Sequence, residues 1–205
     1  MTLQQDSAAA RYNLGTALLA GAKPATAIEQ YEQALRIQPG YGAVHNNWGR
    51  ALLQLAKPAD ALSHFREAAR MDPTNAAPHY NIGTVARAQG DTPQAIAEFR
   101  EAVRLDPRDA DALGSLAWLL ATASSASLRD PAQAVRLADA AAELVGRKRA
   151  PALDILAAAQ AANGRYDLAV ATCDAALALN PEASVAAAIR QRRALYERGR
   201  PYVLP

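Results

Sequence analysis

Three histidines and one cysteine are the side chains of this 205-residue chain best suited to hold a metal or act as base and nucleophile. His45 and His79 stand 34 residues apart, with His64 between them. A metal shared by His45 and His79 needs at least one more converging ligand, and no carboxylate recurs beside both. Both are therefore expected to be partly buried packing residues, and His64 to be solvated surface. Cys173 has no histidine near it in sequence to serve as the base an activated thiol needs. A lone cysteine also excludes internal disulfides and Cys-based zinc clusters. That fits a cytoplasmic protein, and equally a periplasmic one whose leader has been removed. The phosphate loop GxxxxGKS/T, the dinucleotide turn GxGxxG and the zinc helix HExxH are all absent. The expectation is a protein that is not an enzyme, with no metal and no cofactor.

Composition points to helices. About a quarter of the residues are alanine, while aromatics make up 5%. Alanine is the best helix former, and strands favour β-branched and aromatic residues, so an all-β fold is excluded. Small side chains also imply helices that approach closely. The 51% hydrophobic content is too high for disorder, and no apolar run is long enough to cross a membrane. Nor does the start, MTLQQDSAAARYNLG, carry the basic and apolar regions of a secretory signal. The net charge is +2 and unevenly placed: residues 184–205 hold five basic groups and one acidic. Such a narrow basic footprint is not that of a nucleic-acid-binding protein.

The 34-residue spacing of the histidines is the period of the whole chain. Gly15, Gly49 and Gly83 share it, as do Ala27, Ala61 and Ala95. So do Tyr31, Phe65 and Phe99; Ala34, Ala68 and Ala102; and Pro39, Pro73 and Pro107. Each period predicts two helices. The second opens near Pro24, Pro58 or Pro93, because proline is tolerated in a first turn where its missing N–H has no partner. It stops before Pro39, Pro73 or Pro107, whose rings disfavour helical backbone in the preceding residue. A mid-helix glycine costs about 1 kcal/mol relative to alanine, so Gly15, Gly49 and Gly83 mark crossings where a side chain would push the paired helix away. Tyr31, Phe65 and Phe99 are expected to fill the space beside them.

This pattern of small, aromatic and proline positions resembles the tetratricopeptide repeat family, in a bacterial-type form. The repeats are 8–41, 42–75, 76–109, 110–149 and 150–183, after an N-terminal flank of residues 1–7. The fourth keeps Leu116, Ala117, Ala134 and Ala141 but carries about six extra residues in the loop from Thr122 to Asp130. The fifth keeps Leu156, Ala157, Gly164, Tyr166, Ala169, Ala176 and Pro181, and puts Cys173 at the aromatic core position. Arg11, His45, His79, Leu113 and Leu153 stand where the family has tryptophan. Residues 184–198 predict an amphipathic capping helix whose buried stripe holds Val185, Ala188, Ile189 and Tyr196, with Arg192 aligned between them. Residues 199–205 form a C-terminal tail. The resemblance implies an all-α, right-handed superhelical solenoid of antiparallel helix pairs, whose first helices line a concave face.

Mapping the family's groove positions onto this chain gives Tyr12, Asn13 and Thr16 in the first repeat, and Asn46, Asn47, Arg50 and Gln54 in the second. The third repeat offers Tyr80, Asn81, Thr84 and Arg87. The fourth offers Asp111, Ser115, Trp118 and Thr122, and the fifth Asp154 and Ile155. Trp48 takes a core position, whereas Trp118 falls two residues later in its repeat and is expected to face the groove. Asn13, Asn47 and Asn81 form a ladder of amides, able either to pair with the peptide groups of an extended ligand or to bond within the repeats. Arg50 and Arg87 suit an acidic side chain or carboxylate; Asp111, Asp154 and Trp118 suit a basic or aromatic residue. The clamp by which some relatives hold chaperone tails is matched only at Asn47, since Tyr12, Thr16, Ala77 and Asn81 depart from it.

The expected function is binding of a protein or peptide segment in the groove, as adaptor, scaffold or assembly factor, without nucleic-acid binding or membrane insertion. One alternative is a recruiting arm of a larger enzyme resembling O-linked N-acetylglucosamine transferases, against which the polar cap argues. Another is a self-associating scaffold.

Overall fold

A computed structural model describes residues 7–205; of the flank 1–7, residues 1–6 lie outside the described residues. The described residues form eleven α-helices and a short 3-10 helix (Ala126–Leu128) between the seventh and eighth: α1 (Ala8–Ala20), α2 (Pro24–Ile37), α3 (Gly42–Gln54), α4 (Pro58–Met71), α5 (Ala76–Ala88), α6 (Thr92–Leu105), α7 (Ala110–Thr122), α8 (Pro131–Leu144), α9 (Ala150–Ala162), α10 (Tyr166–Ala178) and α11 (Ala183–Tyr196). The fold is all-α, a solenoid of antiparallel helix pairs. Odd-numbered helices up to α9 are the first helices of their pairs. Side-chain oxygens cap five helix starts: Ser7, Asn75, Asp91, Asp109 and Asp130 each accept a backbone N–H of the first turn.

By internal contacts the chain forms two units, Met1–Gly90 and Asp91–Pro205. In the first, α1 packs on α2 and α3 on α4, while α1, α3 and α5 touch in succession as a layer. The glycine crossings are as the period implies. A Cβ on Gly15 would lie 2.5 Å from Cε1 of Tyr31, and one on Gly49 would lie 2.5 Å from Cε1 of Phe65. Both rings are fully buried, so neither can move aside cheaply. The turns joining each pair are less regular: Ala22 and Ala56 occupy left-handed backbone, with φ of 55° and 56°.

In the second unit α7 packs on α8 and α9, α9 on α10, and α11 against both α9 and α10. Gly114 of α7 meets Ile155 of α9, whose Cδ1 would lie 3.2 Å from an added Cβ. Cys173 is fully buried, and burial pushes its thiol up to about 12, so it holds its proton as a core residue. Ala186, Ile189 and Tyr196 of α11 are buried, whereas Val185 and Ala188 are half-buried. Beyond Tyr196, Gly199 turns the chain in left-handed backbone, with φ of 63°.

Candidate functional site

In the first unit the expected groove residues form hydrogen bonds from α1 to α3 and, separately, from α3 to α5. The amide nitrogen of Asn47 donates to the Tyr12 hydroxyl and the Thr16 hydroxyl, both at 3.1 Å. Its oxygen accepts from Nη1 of Arg50 at 3.2 Å. Thr16 in turn donates to the Tyr12 carbonyl at 2.9 Å. Asn47 is only 5% exposed, so its amide is committed to these neighbours and is not a free rung. Asn81 likewise donates to Asn46 at 2.9 Å, whereas Asn13 is exposed. Asn47 and Asn81 thus tie each first helix to the one before it, bonding between repeats rather than within one. The part of Arg50 not used by Asn47 is exposed, as are Gln54 and Arg87, while Tyr80 and Thr84 are half-buried. Thr84 spends its hydroxyl on the Tyr80 carbonyl, 3.0 Å away.

The second unit treats its own face differently. Asp154 of α9, expected to line an open groove, is 7% exposed and closed over by α11. Arg192 grips it bidentately, with Nε 3.0 Å from Oδ1 and Nη2 on Oδ2. Burial pushes the Asp154 carboxyl up and the guanidinium opposes that rise. Arg192 also stands 5.4 Å from the ring centre of Trp118 and 5.6 Å from that of Tyr202. Tyr202 lies 5.7 Å from Trp118, the two rings tilted by 37°. Two residues on, the Leu204 N–H donates to the Thr122 carbonyl at 2.7 Å, satisfying an acceptor at the end of α7 that the helix itself leaves open. The basic and aromatic groups expected of a partner are here supplied by this chain's own Arg192 and Tyr202. One backbone hydrogen bond, one aromatic pair and the Arg192 cation beside Tyr202, each worth about 0.5–1.5 kcal/mol, are a light hold on residues 201–205. Asp111 is exposed and pairs with Arg149 at 3.2 Å, and Ser115 is half-buried.

His64 corrects the expectation of solvated surface. It is half-buried on α4, its Nδ1 3.0 Å from Nδ1 of His45, and its ring stacks on Trp48 at 4.4 Å. Trp48 is wide enough to sit half-buried between α3 and α4, and its indole draws the imidazole in. Burial holds both histidines below the usual imidazole range. Among the described residues no group of three His, Cys, Asp or Glu is placed to hold a metal, and no helix is long and apolar enough to cross a membrane.

No protein of curated function matches the sequence. Solved structures do match the fold. A tetratricopeptide repeat protein, YrrB, described as having an unusual peptide-binding site, superposes with a TM-score of 0.69 at 19% identity, over 92% of this chain and 94% of that one. PilF of Pseudomonas aeruginosa gives 0.72 at 20% identity, over 92% and 88%. MamA gives 0.66 at 19% identity, over 97% and 98%. At such identities these likenesses speak for the fold alone. The sequence itself matches the model of the tetratricopeptide repeat over residues 3–42, 46–110 and 80–127, more than half of its length. Together with the 34-residue period and the buried glycine–aromatic crossings, that match decides the family: the chain belongs to the tetratricopeptide repeat proteins.

Proposed function

We propose that this chain is a non-enzymatic protein-interaction module that binds an extended peptide segment along its first helices, as an adaptor, scaffold or assembly factor. The observation that carries the reading is the network of Tyr12, Thr16, Asn47 and Arg50. It fixes an exposed guanidinium in place across α1 and α3 before any ligand arrives. A group held in advance loses little freedom on binding, so more of its contact energy appears as affinity. The exposed Arg87 on α5 adds a second cation to the face, which suits a segment with acidic side chains or a carboxylate. The named peptide-binding site of YrrB, a protein of the same fold, favours the same use of the fold here.

An array of extended peptides with and without Asp or Glu, probed with the whole chain, tests this. Acidic peptides should bind, and Arg50→Ala should weaken them about tenfold or more, since hydrogen bonds to charged groups are worth about 1.5–3 kcal/mol. If Arg50→Ala and Asn47→Ala bind as the parent does, while substitutions on exposed positions of α2 and α4 abolish binding, the first-helix reading is wrong.

A further inference from the structure

Residues 201–205 alternate in exposure. Pro201, Val203 and Pro205 face solvent, whereas Tyr202 and Leu204 are half-buried. A period of two is that of an extended strand laid on a surface, with every second side chain turned toward it. The surface here belongs to α7 and its loop. Tyr202 meets Trp118 and Arg192, and the Leu204 N–H meets the Thr122 carbonyl. Pro201 lines a shallow pocket with Ala121, Ala126, Arg129, Pro131 and Ala162. Part of that pocket comes from the extra residues of the fourth repeat. The insertion and the 200–205 segment are therefore in contact, though more than 70 residues separate them in sequence.

This is how a peptide ligand sits: one main-chain hydrogen bond, one aromatic anchor, a proline that needs no donor, and alternate residues outward. Gly199 supplies the turn, and the Arg200 N–H closes α11 on the Leu195 carbonyl at 3.1 Å, so residues 201–205 can leave while that cap stays in place. The contacts are few, and most of the hold comes from the short tether, which keeps the segment at an effective concentration on the order of millimolar.

We propose that the face of Trp118, Thr122 and Arg192 is a binding site for an extended segment with an aromatic residue directly after a proline, and that residues 201–205 are its displaceable resident. A partner segment of that chemistry binds by displacing them, so the chain carries its own competitor. The proposal rests on the reading of the chain as a peptide binder, but uses none of the residues on which that reading stands.

The probe is a labelled peptide of sequence Gly-Arg-Pro-Tyr-Val-Leu-Pro, followed by fluorescence anisotropy with the whole 205-residue chain. The parent should bind weakly. Tyr202→Ala combined with Leu204→Ala, which loosens the resident, should bind about tenfold tighter or more. Adding Trp118→Ala should remove that gain, as should replacing the peptide's tyrosine by alanine. Helix content by circular dichroism identifies a variant that has failed to fold, and Trp118→Phe then replaces Trp118→Ala. In the parent, saturating peptide should speed hydrogen exchange at the Leu204 amide. The proposal is overturned if the loosened chain binds no better than the parent, if the gain survives loss of the indole, or if loosening yields dimers with no peptide bound. Loss of acidic-peptide binding in Arg50→Ala bears on the first unit and leaves these outcomes untouched.

Discussion

In the first unit the inner polar groups of α1, α3 and α5 bond to one another and leave cations outward. In the second, the inner groups of α7 and α9 bond to the chain's own α11 and 200–205 segment. Asn47 and Asp154 show the contrast most clearly, being the two most buried polar members of the expected groove apart from Thr122. Asn47 is neutral, and three neighbours satisfy it at the distance of one helical layer. Asp154 is charged, and a buried charge needs a counter-charge, which only a further helix can bring. A capping helix with an arginine in its buried stripe is the consequence.

That difference predicts unequal costs. Asp154→Ala leaves the Arg192 guanidinium buried without its partner, and breaking such a pair typically costs about 3–5 kcal/mol. Because a solenoid's stability is a sum of neighbouring interfaces, the loss should fall on α9–α11 and spare α1–α4. Hydrogen exchange resolved by helix checks both parts. Asp154→Leu with Arg192→Leu should recover much of the loss; a double variant as unstable as the single one would mean the ion pair itself, not its imbalance, stabilises the cap.

Asn47→Ala is the matching experiment in the first unit. It strands the Thr16 and Tyr12 hydroxyls from their donor at a partly buried site and should cost about 1–3 kcal/mol. The loss should appear in urea melts as faster exchange in α1 and α3. An effect as large as that of Asp154→Ala would erase the distinction between a neutral and a charged inner face.

The two histidines give α3 and α4 a response to mild acid of their own. Burial lowers both imidazoles in the folded chain. Between those lowered values and the unfolded value near 6.5, the unfolded state binds more protons, so stability rises with pH across that window. Acidification below about pH 6.5 should therefore destabilise α3 and α4 until the folded pKa values are passed. Nothing from this pair should be lost above pH 7. The charged groups that face the pair are Glu67 and Arg70 beside His45 and Asp60 beside His64. His64→Gln should flatten the pH dependence of melting between pH 7 and 5 while leaving the second unit's melting unchanged.

The period carried most of the fold into view. Gly15 against Tyr31 and Gly49 against Phe65 were legible because a glycine and an aromatic recur at fixed phase, and only a close crossing explains that pairing. Trp118 breaks phase by two residues, which set it apart from the core positions, and it is half-buried against Tyr202 and Arg192. Its occupant was not legible, because residues 200–205 share no phase with any repeat and nothing in their order says where an extended segment will lie. The burial of Asn47 was half legible. Phase placed the amide on the inner face, but its bonds run to Tyr12 and Arg50, whose reach depends on rotamers. His64 was misplaced because one polar residue on a second helix reads as surface, and only the width of Trp48 brings it inward.

The smallest effect concerns the turns between paired helices, where the repeats differ at one position. Gly90 and Gly164 occupy left-handed backbone there, with φ of 79° and 76°, and the first two repeats put Ala22 and Ala56 at the corresponding place. A Cβ there costs roughly 1–2 kcal/mol, because it crowds the following carbonyl. Glycine removes that cost but gives the unfolded chain more freedom to lose, roughly 0.5–1 kcal/mol. The balance favours Ala56→Gly by up to about 1 kcal/mol, visible as a small rise in the first unit's melting temperature. Gly164→Ala should do the reverse in the second. If Ala56→Gly destabilises instead, the alanine methyl makes a contact worth more than the strain it imposes, and the alanine and glycine turns are not equivalent.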